Sequence, residues 1–366
     1  MTQPPIELCQ IPLGVICLAD YERVAAQRLD PNAWAYLSGG AGDEITTRWN
    51  REAFDRIALL PRILRGDAGA HTRIELFGHA FAHPILVAPV AYQRLAHADG
   101  ERATAAAAAA QDAGLVLSTL ASETLEDVAA LAGPRRWLQL YLQPRRADTL
   151  DLVRRAEAAG YEALMLTVDA PVYGARDRER RVGFALPPGI RAQNLVGYPA
   201  RPVPAGTGST VLDHFMATAP TWDDVDWLIA HTQLPVLLKG ILDPEDAELA
   251  IAHGAAGIVV SNHGGRTLDT LPATLDALPS IAERVAGRVP VLMDGGIRRG
   301  TDIFKAIASG ATAVLVGRPI VYALAVAGAF GVAHVLKLLR DELEIAMVLT
   351  GCARLVDIGP RHLMRR

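Results

Sequence analysis

Apolar residues in this chain fall into short blocks separated by longer stretches of helical spacing. The blocks are Pro84–Ala88, Leu115–Ser118, Trp137–Tyr141, Ala163–Val168, Pro235–Lys239, Gly257–Ser261, Pro290–Asp294 and Ala313–Gly317. The helical stretches include Glu101–Ala113, Thr124–Ala132, Thr149–Ala159, Asp223–Ala230, Pro244–His253, Leu275–Ala286 and Thr301–Ser309. Continuous apolar strands alternating with helices predict a parallel sheet covered on both faces. Eight such units in order predict a closed (β/α)8 TIM barrel rather than an open sheet.

Ahead of the first block the pattern differs. Residues 1–18 carry Pro4, Pro5 and Pro12 and read as a loose arm. Leu18–Leu29, Pro31–Ser38 and Asp43–Asp55 read as helices, with Gly39-Gly40-Ala41-Gly42 breaking the second. Ile57–Leu60, Thr72–Phe77 and His79–Ala82 alternate weakly and read as short strands, with a turn at Gly78. The expected organisation is a single domain, in which residues 1–83 pack as an N-terminal extension on a barrel of residues 84–366. One irregular stretch, 186–220, is rich in Pro, Gly, Ser and Thr and lacks a period. It follows the fourth strand, overhangs the barrel's C-terminal mouth and reads as a mobile lid loop.

Composition narrows the class. A chain of 366 residues is long for one core unless that core is an α/β barrel, and half its residues are apolar. A net charge of −4 with no basic stripe argues against a nucleic-acid or anionic-membrane partner. Cys9, Cys17 and Cys352 have no metal-ligand spacing and read as reduced thiols of a soluble, cytoplasmic protein. The apolar run Ile11–Ala19 is too short to span a membrane and lacks the basic flank of a signal peptide. No metal site is expected.

The chemistry gathers where barrel enzymes place it, at the C-terminal strand ends. The first run leads into Pro89-Val90-Ala91, and the second ends at Ser118. The third carries Gln139 and Tyr141, the fourth Thr167 with Asp169 beyond it, and the fifth Lys239. The sixth runs into Ser261-Asn262-His263-Gly264-Gly265-Arg266. There an imidazole able to take a proton near neutral pH sits beside a guanidinium able to hold a carboxylate in two prongs. The seventh leads into Asp294-Gly295-Gly296-Ile297-Arg298 and the eighth into Gly317-Arg318-Pro319. Glycine turns and arginines after these last two strands predict a phosphate site, with the attached ring lying beside Lys239 and His263.

These segments, together with Tyr36-Leu-Ser-Gly-Gly-Ala-Gly-Asp43, resemble the FMN-dependent (S)-2-hydroxy acid oxidases and dehydrogenases, a family that includes glycolate, lactate and hydroxymandelate oxidases. The matches run in order over nearly the whole chain. The resemblance implies FMN as cofactor and His263 as the active-site base, with Asp169 stabilising its protonated form. It implies that Arg176, Arg266 and Tyr36 bind the substrate carboxylate and that Tyr141 hydrogen-bonds the oxygen being oxidised. Lys239 then lies near the flavin ring, and Pro89, Val90, Ala91, Ser118, Gln139, Thr167 and Ser261 line the ring and ribityl chain. Asp294 holds a ribityl hydroxyl, and Gly295, Gly296, Arg298, Gly317 and Arg318 form the phosphate end. The implied reaction converts an (S)-2-hydroxy acid to its 2-oxo acid, with O2 reduced to hydrogen peroxide. The implied assembly is a homotetramer or octamer.

Three positions depart from the family pattern: Leu120, where relatives carry Trp or Tyr, Thr267 in place of Gln, and Ala175 beside Arg176. Leu120 implies a roomier, more apolar pocket and a substrate larger than glycolate: lactate or a larger, including aromatic, 2-hydroxy acid. Tyr92 also adjoins the site. Other readings of the same residues are a dehydrogenase passing electrons to a quinone or another protein, a flavin-dependent isomerase, and a non-enzymatic phosphate-binding barrel. Whether the α-hydrogen leaves as hydride or as proton stays open at this level.

Overall fold

The computed structural model describes residues 6–7, 9–199, 208–216 and 218–365. The chain first forms helices α1 (Leu18–Arg28), α2 (Pro31–Ser38) and α3 (Ile45–Asp55), then strand β1 (Ile57–Leu59) and a hairpin of β2 (Ile74–Leu76) and β3 (His79–Phe81). Eight strands follow: β4 (Ile85–Val87), β5 (Gly114–Ser118), β6 (Arg136–Leu140), β7 (Ala163–Thr167), β8 (Val236–Ile241), β9 (Gly257–Val260), β10 (Val291–Met293) and β11 (Ala313–Val316). All pair in parallel, and β11 pairs back onto β4 to close the barrel. Between them run α4 (Gly100–Ala110), α5 (Leu125–Ala129), α6 (Arg146–Ala158), α7 (Asp177–Arg181), α8 (Trp222–Ala230), α9 (Pro244–Ala252), α10 (Thr274–Val285) and α11 (Gly300–Ala308). Helix α12 (Arg318–Thr350) and strand β12 (Leu363–Arg365) complete the fold. Each predicted apolar run lies on its barrel strand, and the ends agree to within a residue or two.

The period-two geometry of a strand explains why these runs are apolar throughout. Alternate residues such as Leu86, Val116, Trp137, Met165, Leu237, Val259, Leu292 and Leu315 form a core inside the barrel. Their neighbours, such as Val87, Leu117, Leu138, Leu166, Leu238, Ile258, Met293 and Val316, belong to a second core shared with the helices. The β2–β3 hairpin plugs the lower end. Leu76 and Phe81 join the inner core, and the Phe77 ring lies 5.5 Å from that of Trp137. Phe77 and Phe81 lie against Gly257 and Gly114, at the starts of β9 and β5.

Two features were not anticipated from patterning. One is α12, 33 residues long, which starts directly at Arg318 and carries non-helical backbone at Ala327 and Gly328. It is long and apolar enough to cross a membrane, yet most of that apolar length is buried in the fold, where α1, α4 and α11 pack on it. The other is the partner of β1. It pairs antiparallel with β12 at the far end of the chain, Ile57 opposite Arg365 and Leu59 opposite Leu363. Strand pairing needs both segments, and a weakly alternating run carries no record of its partner's position.

Within the expected lid, Gln193–Leu195 forms a 3-10 turn and Thr210–Met216 a π-helical turn. Residues 200–207 and 217 of that stretch lie outside the described residues, as do 1–5 and 8 of the expected arm.

Trp137 is fully buried at the junction of hairpin and barrel. Trp137→Ala is expected to lower the unfolding free energy by about 3–5 kcal/mol, read as a shift in the denaturant midpoint at unchanged slope.

Candidate active site

The strand ends of the barrel open into a cavity of about 740 Å³. Of the residues singled out from sequence, Tyr36, Pro89, Val90, Ala91, Ser118, Gln139, Tyr141, Thr167, Arg176, Lys239, His263, Arg266, Asp294, Gly295, Gly296, Arg298, Gly317 and Arg318 line it. Asp169 and Ser261 do not line it but sit directly behind, each hydrogen-bonded to residues that do. The structure therefore brings the whole predicted set to one place.

On one wall Lys239 and Asp294 form a buried ion pair, Nζ to Oδ2 at 3.0 Å. Ser261 ties the two together, accepting from Lys239 at 2.9 Å and donating to Asp294 at 2.6 Å. Burial alone would push the Lys239 ammonium toward neutrality, but Asp294 and Asp169 outweigh it and hold its pKa above the ordinary lysine value. Alongside, Gln139 donates to the Thr167 hydroxyl at 3.0 Å and accepts from Ser118 at 3.2 Å. These buried polar groups satisfy one another and present a fixed donor–acceptor lining.

The loop after β9 holds the imidazole. His263, Gly264 and Gly265 all have positive φ, at 56°, 63° and 73°. At Gly265 a Cβ would lie 2.6 Å from the Thr47 hydroxyl, so glycine is required there. The strained turn is pinned by the His263 N–H donating to Ser261 Oγ at 3.0 Å and by Ala41 N–H donating to the Gly265 carbonyl at 2.7 Å. His263 Nδ1 meets Asp169 Oδ1 at 2.8 Å. With Nδ1–H donated to the carboxylate, Nε2 is left as the basic nitrogen. Burial holds the His263 pKa below the usual imidazole range, partly offset by Asp169. Burial would raise the Asp169 carboxyl, but the His263 ring and Lys239 outweigh it and hold its pKa below the ordinary value. Asp169 Oδ2 is buried without a hydrogen-bond partner among the described residues.

Two arginines line the same cavity. Arg266 donates to the carbonyls of Tyr36 and Gly39, each at 2.7 Å, and its guanidinium lies 5.0 Å from the Tyr36 ring centre. Arg176, the residue before α7, donates to the Arg266 carbonyl at 3.1 Å and stacks 4.0 Å over the Tyr173 ring. The Tyr141 hydroxyl has no hydrogen-bond partner among the described residues. Burial drives its pKa well above the ordinary tyrosine value, so it is a donor. Leu120 also lines the cavity, and Tyr92 accounts for its setting: Tyr92 N–H donates to the Leu120 carbonyl at 3.1 Å, and its ring lies 5.9 Å from that of Tyr36.

Three neighbours of this clamp were missed from sequence: Glu179, Tyr173 and Phe184. Glu179 is 5% exposed and contacts both arginines, while Phe184 stacks on Tyr36 at 4.7 Å. Glu179 sits in the run Arg176-Asp-Arg-Glu-Arg-Arg181, whose charge density reads as a solvated helix end. The available signal was its spacing of three from Arg176, which places both on one helical face.

Beyond the clamp, next to Arg266, the cavity suits an anion. Arg318 donates to the carbonyls of Gly264 and Gly39 at 2.8 Å each, while its buried Nε has no partner among the described residues. Burial, with Arg266 and Arg298 nearby, pushes its pKa down to about 10. A guanidinium so destabilised calls for a negative charge. Gly317, next to Arg318 in the chain, also lines the cavity. A phosphate at Arg318 and Arg298 and a flat ring along Lys239 and Gln139 fit these residues, which is the shape and charge order of FMN.

A family model described as FMN-dependent dehydrogenase matches residues 25–365. An L-lactate oxidase of Alicycliphilus denitrificans is 54% identical over 351 residues, covering 95% of this chain and 96% of that one. Glycolate oxidase 1 of Zea mays is 45% identical, with 94% of each chain covered. Among solved structures, mandelate oxidase with benzoyl-formic acid superimposes with a TM-score of 0.87 at 46% identity, covering 96% of this chain and 98% of that chain. Barrel, cavity lining and sequence agree over the same span, and the chain belongs to the FMN-dependent dehydrogenase family.

Proposed function

We propose that this chain is an FMN-dependent oxidase of (S)-2-hydroxy acids, L-lactate or a larger, including aromatic, homologue. It releases the 2-oxo acid and reduces O2 to hydrogen peroxide. The observation that carries this reading is the His263–Asp169 pair sharing one cavity with Arg176, Arg266 and the buried Lys239–Asp294 pair. Bound FMN supplies the two-electron acceptor. The two arginines fix the substrate carboxylate in a forked, charged grip. Tyr141 donates to the substrate oxygen undergoing oxidation. Nε2 of His263 takes a proton, and Asp169 stabilises the resulting imidazolium. Lys239 keeps a positive charge on the wall, favouring uptake of electron density beside it. The likeness to lactate, glycolate and mandelate oxidases supports the substrate class, and Leu120 in the cavity wall supports a side chain larger than that of glycolate.

We read residues 186–220 as a lid, because Leu195, Tyr198, Pro199, Phe215 and Pro220 line the cavity. A homotetramer or octamer is the proposed assembly. Exposed Ile345 and Leu349 bordering a groove with Leu59 and Pro61 support a subunit contact there. The three free cysteines fit a reducing compartment, for which we propose the cytoplasm.

Anaerobic addition of (S)-lactate or (S)-mandelate to the purified protein is expected to bleach the flavin band, and air to restore it within the mixing time. Bleaching that persists in air would assign a dehydrogenase with another acceptor, and a flavin that neither acid reduces would refute the substrate class.

The base must be neutral to act, and burial holds the His263 pKa below the ordinary value of about 6.5. The acid limb of kcat/KM is therefore expected below that pH, with a plateau at neutrality. In Asp169→Asn the charge that raises the imidazole pKa is gone, so the limb moves to lower pH while kcat/KM falls by roughly 10²- to 10⁴-fold. A pH–rate profile of both proteins measures the two effects together.

Leu120→Trp is expected to narrow the pocket. The ratio of kcat/KM for (S)-mandelate over (S)-lactate should fall by roughly 10-fold or more, measured by oxygen consumption.

A further inference from the structure

The arginine pair at the cavity brings its own buried counter-ion. Glu179 Oε1 accepts from Arg176 Nη1 at 3.2 Å and lies 3.5 Å from Arg266 Nη2. Its Oε2 accepts from the Tyr173 hydroxyl, which itself accepts from Arg176 Nη1 at 2.7 Å. A carboxylate this buried is costly unless paired, and here both partners are the two cations of the clamp. Arg266 spends Nη1 on two backbone carbonyls, whereas Arg176 Nη2 has no protein hydrogen bond among the described residues. Two guanidiniums and one carboxylate leave a net charge of +1. A single carboxylate entering the cavity brings that balance to zero. A second carboxylate would stand without a cation of its own beside Glu179.

This inference rests on the reading of Arg176 and Arg266 as the substrate clamp. We propose that Glu179, braced by Tyr173, is a positioning residue that sets the clamp's charge and so selects 2-hydroxy acids bearing one carboxylate over those bearing two. It orients Arg176 for the substrate and takes no part in the proton or electron steps.

The test compares the FMN-loaded wild type with Glu179→Gln and Glu179→Asp. Propionate and malonate serve as non-oxidisable probes, at fixed ionic strength and at a pH where both malonate carboxyls are ionised. Dissociation constants are read from perturbation of the flavin band. The wild type is expected to bind malonate no more tightly than propionate. Glu179→Gln, with one more net positive charge in a partly desolvated site, should shift the ratio toward malonate by roughly 10- to 100-fold. Glu179→Asp keeps the charge and should keep the wild-type order, which separates charge selection from mere packing. For (S)-lactate, Glu179→Gln should change KM more than kcat. An unchanged malonate-to-propionate ratio in Glu179→Gln would overturn the proposal. So would a wild type that prefers malonate by tenfold, a result that needs no variant to fold. A wild-type flavin that no 2-hydroxy acid reduces would refute the oxidase reading itself, which these binding ratios do not measure.

Discussion

An ammonium group with almost no exposed surface has to find a negative charge, and Lys239 finds Asp294 two strands away in the barrel. Neither residue is tolerable alone: removing one partner of a buried pair leaves an uncompensated charge that costs about 3–5 kcal/mol. Their meeting depends on the parallel pairing of consecutive strands, which sets the ends of β8, β9 and β10 side by side. Ser261, at the end of β9, bridges the pair, and the same hydroxyl receives the His263 N–H. The fixed charge of the cavity wall and the position of the imidazole are thus set by one small network.

The barrel does not complete the site unaided. Arg266 and Arg318 are both anchored on carbonyls of the glycine break after α2, sharing Gly39. Thr47 and Ala41 hold the left-handed turn at Gly264 and Gly265. Asn50 of α3 exchanges hydrogen bonds with Asn262, and its carbonyl would stand 2.2 Å from a Cβ on Gly296. The segment before the barrel therefore works as the outer half of the arginine clamp and of the glycine turns. That explains why glycines sit where they do on both sides of the contact.

Much of this was legible in the sequence because the physics involved is local or periodic. Each barrel strand is a short apolar run, and most site residues lie at the C-terminal end of a run or in the turn after it, which is where the barrel geometry puts chemistry. Helix α3 starts at Ile45 rather than Asp43 because Glu44 takes a left-handed conformation. What escaped was relational. The pairing of β1 with β12 depends on two segments far apart, neither of which names the other. The length of α12 was hidden because apolar residues on nearly all sides give little periodic signal to a helix packed between α1, α4 and α11. Glu179 was masked by its charged neighbours, since burial of one side chain in a charged run is decided by what folds over it. Asp169 stood out at the end of its strand, but its role beside His263 came only through the family pattern; the two side chains meet at 2.8 Å across the turns after β7 and β9.

The β1–β12 pair has a consequence for how the molecule is made. Its strands lie about 300 residues apart, a separation that carries the entropy of closing a very long loop before any bond repays it. During synthesis β1 emerges long before its partner exists, and the backbone groups of residues 57–62 wait unpaired until residues near 350 and 362 arrive. Leu59, Leu60, Ile63 and Leu64 belong to or flank that waiting edge, and it offers apolar side chains and open hydrogen bonds together, the combination that invites mispairing. The nascent protein is thus exposed to mispairing at β1, outside the barrel, until β12 is made and covers that edge.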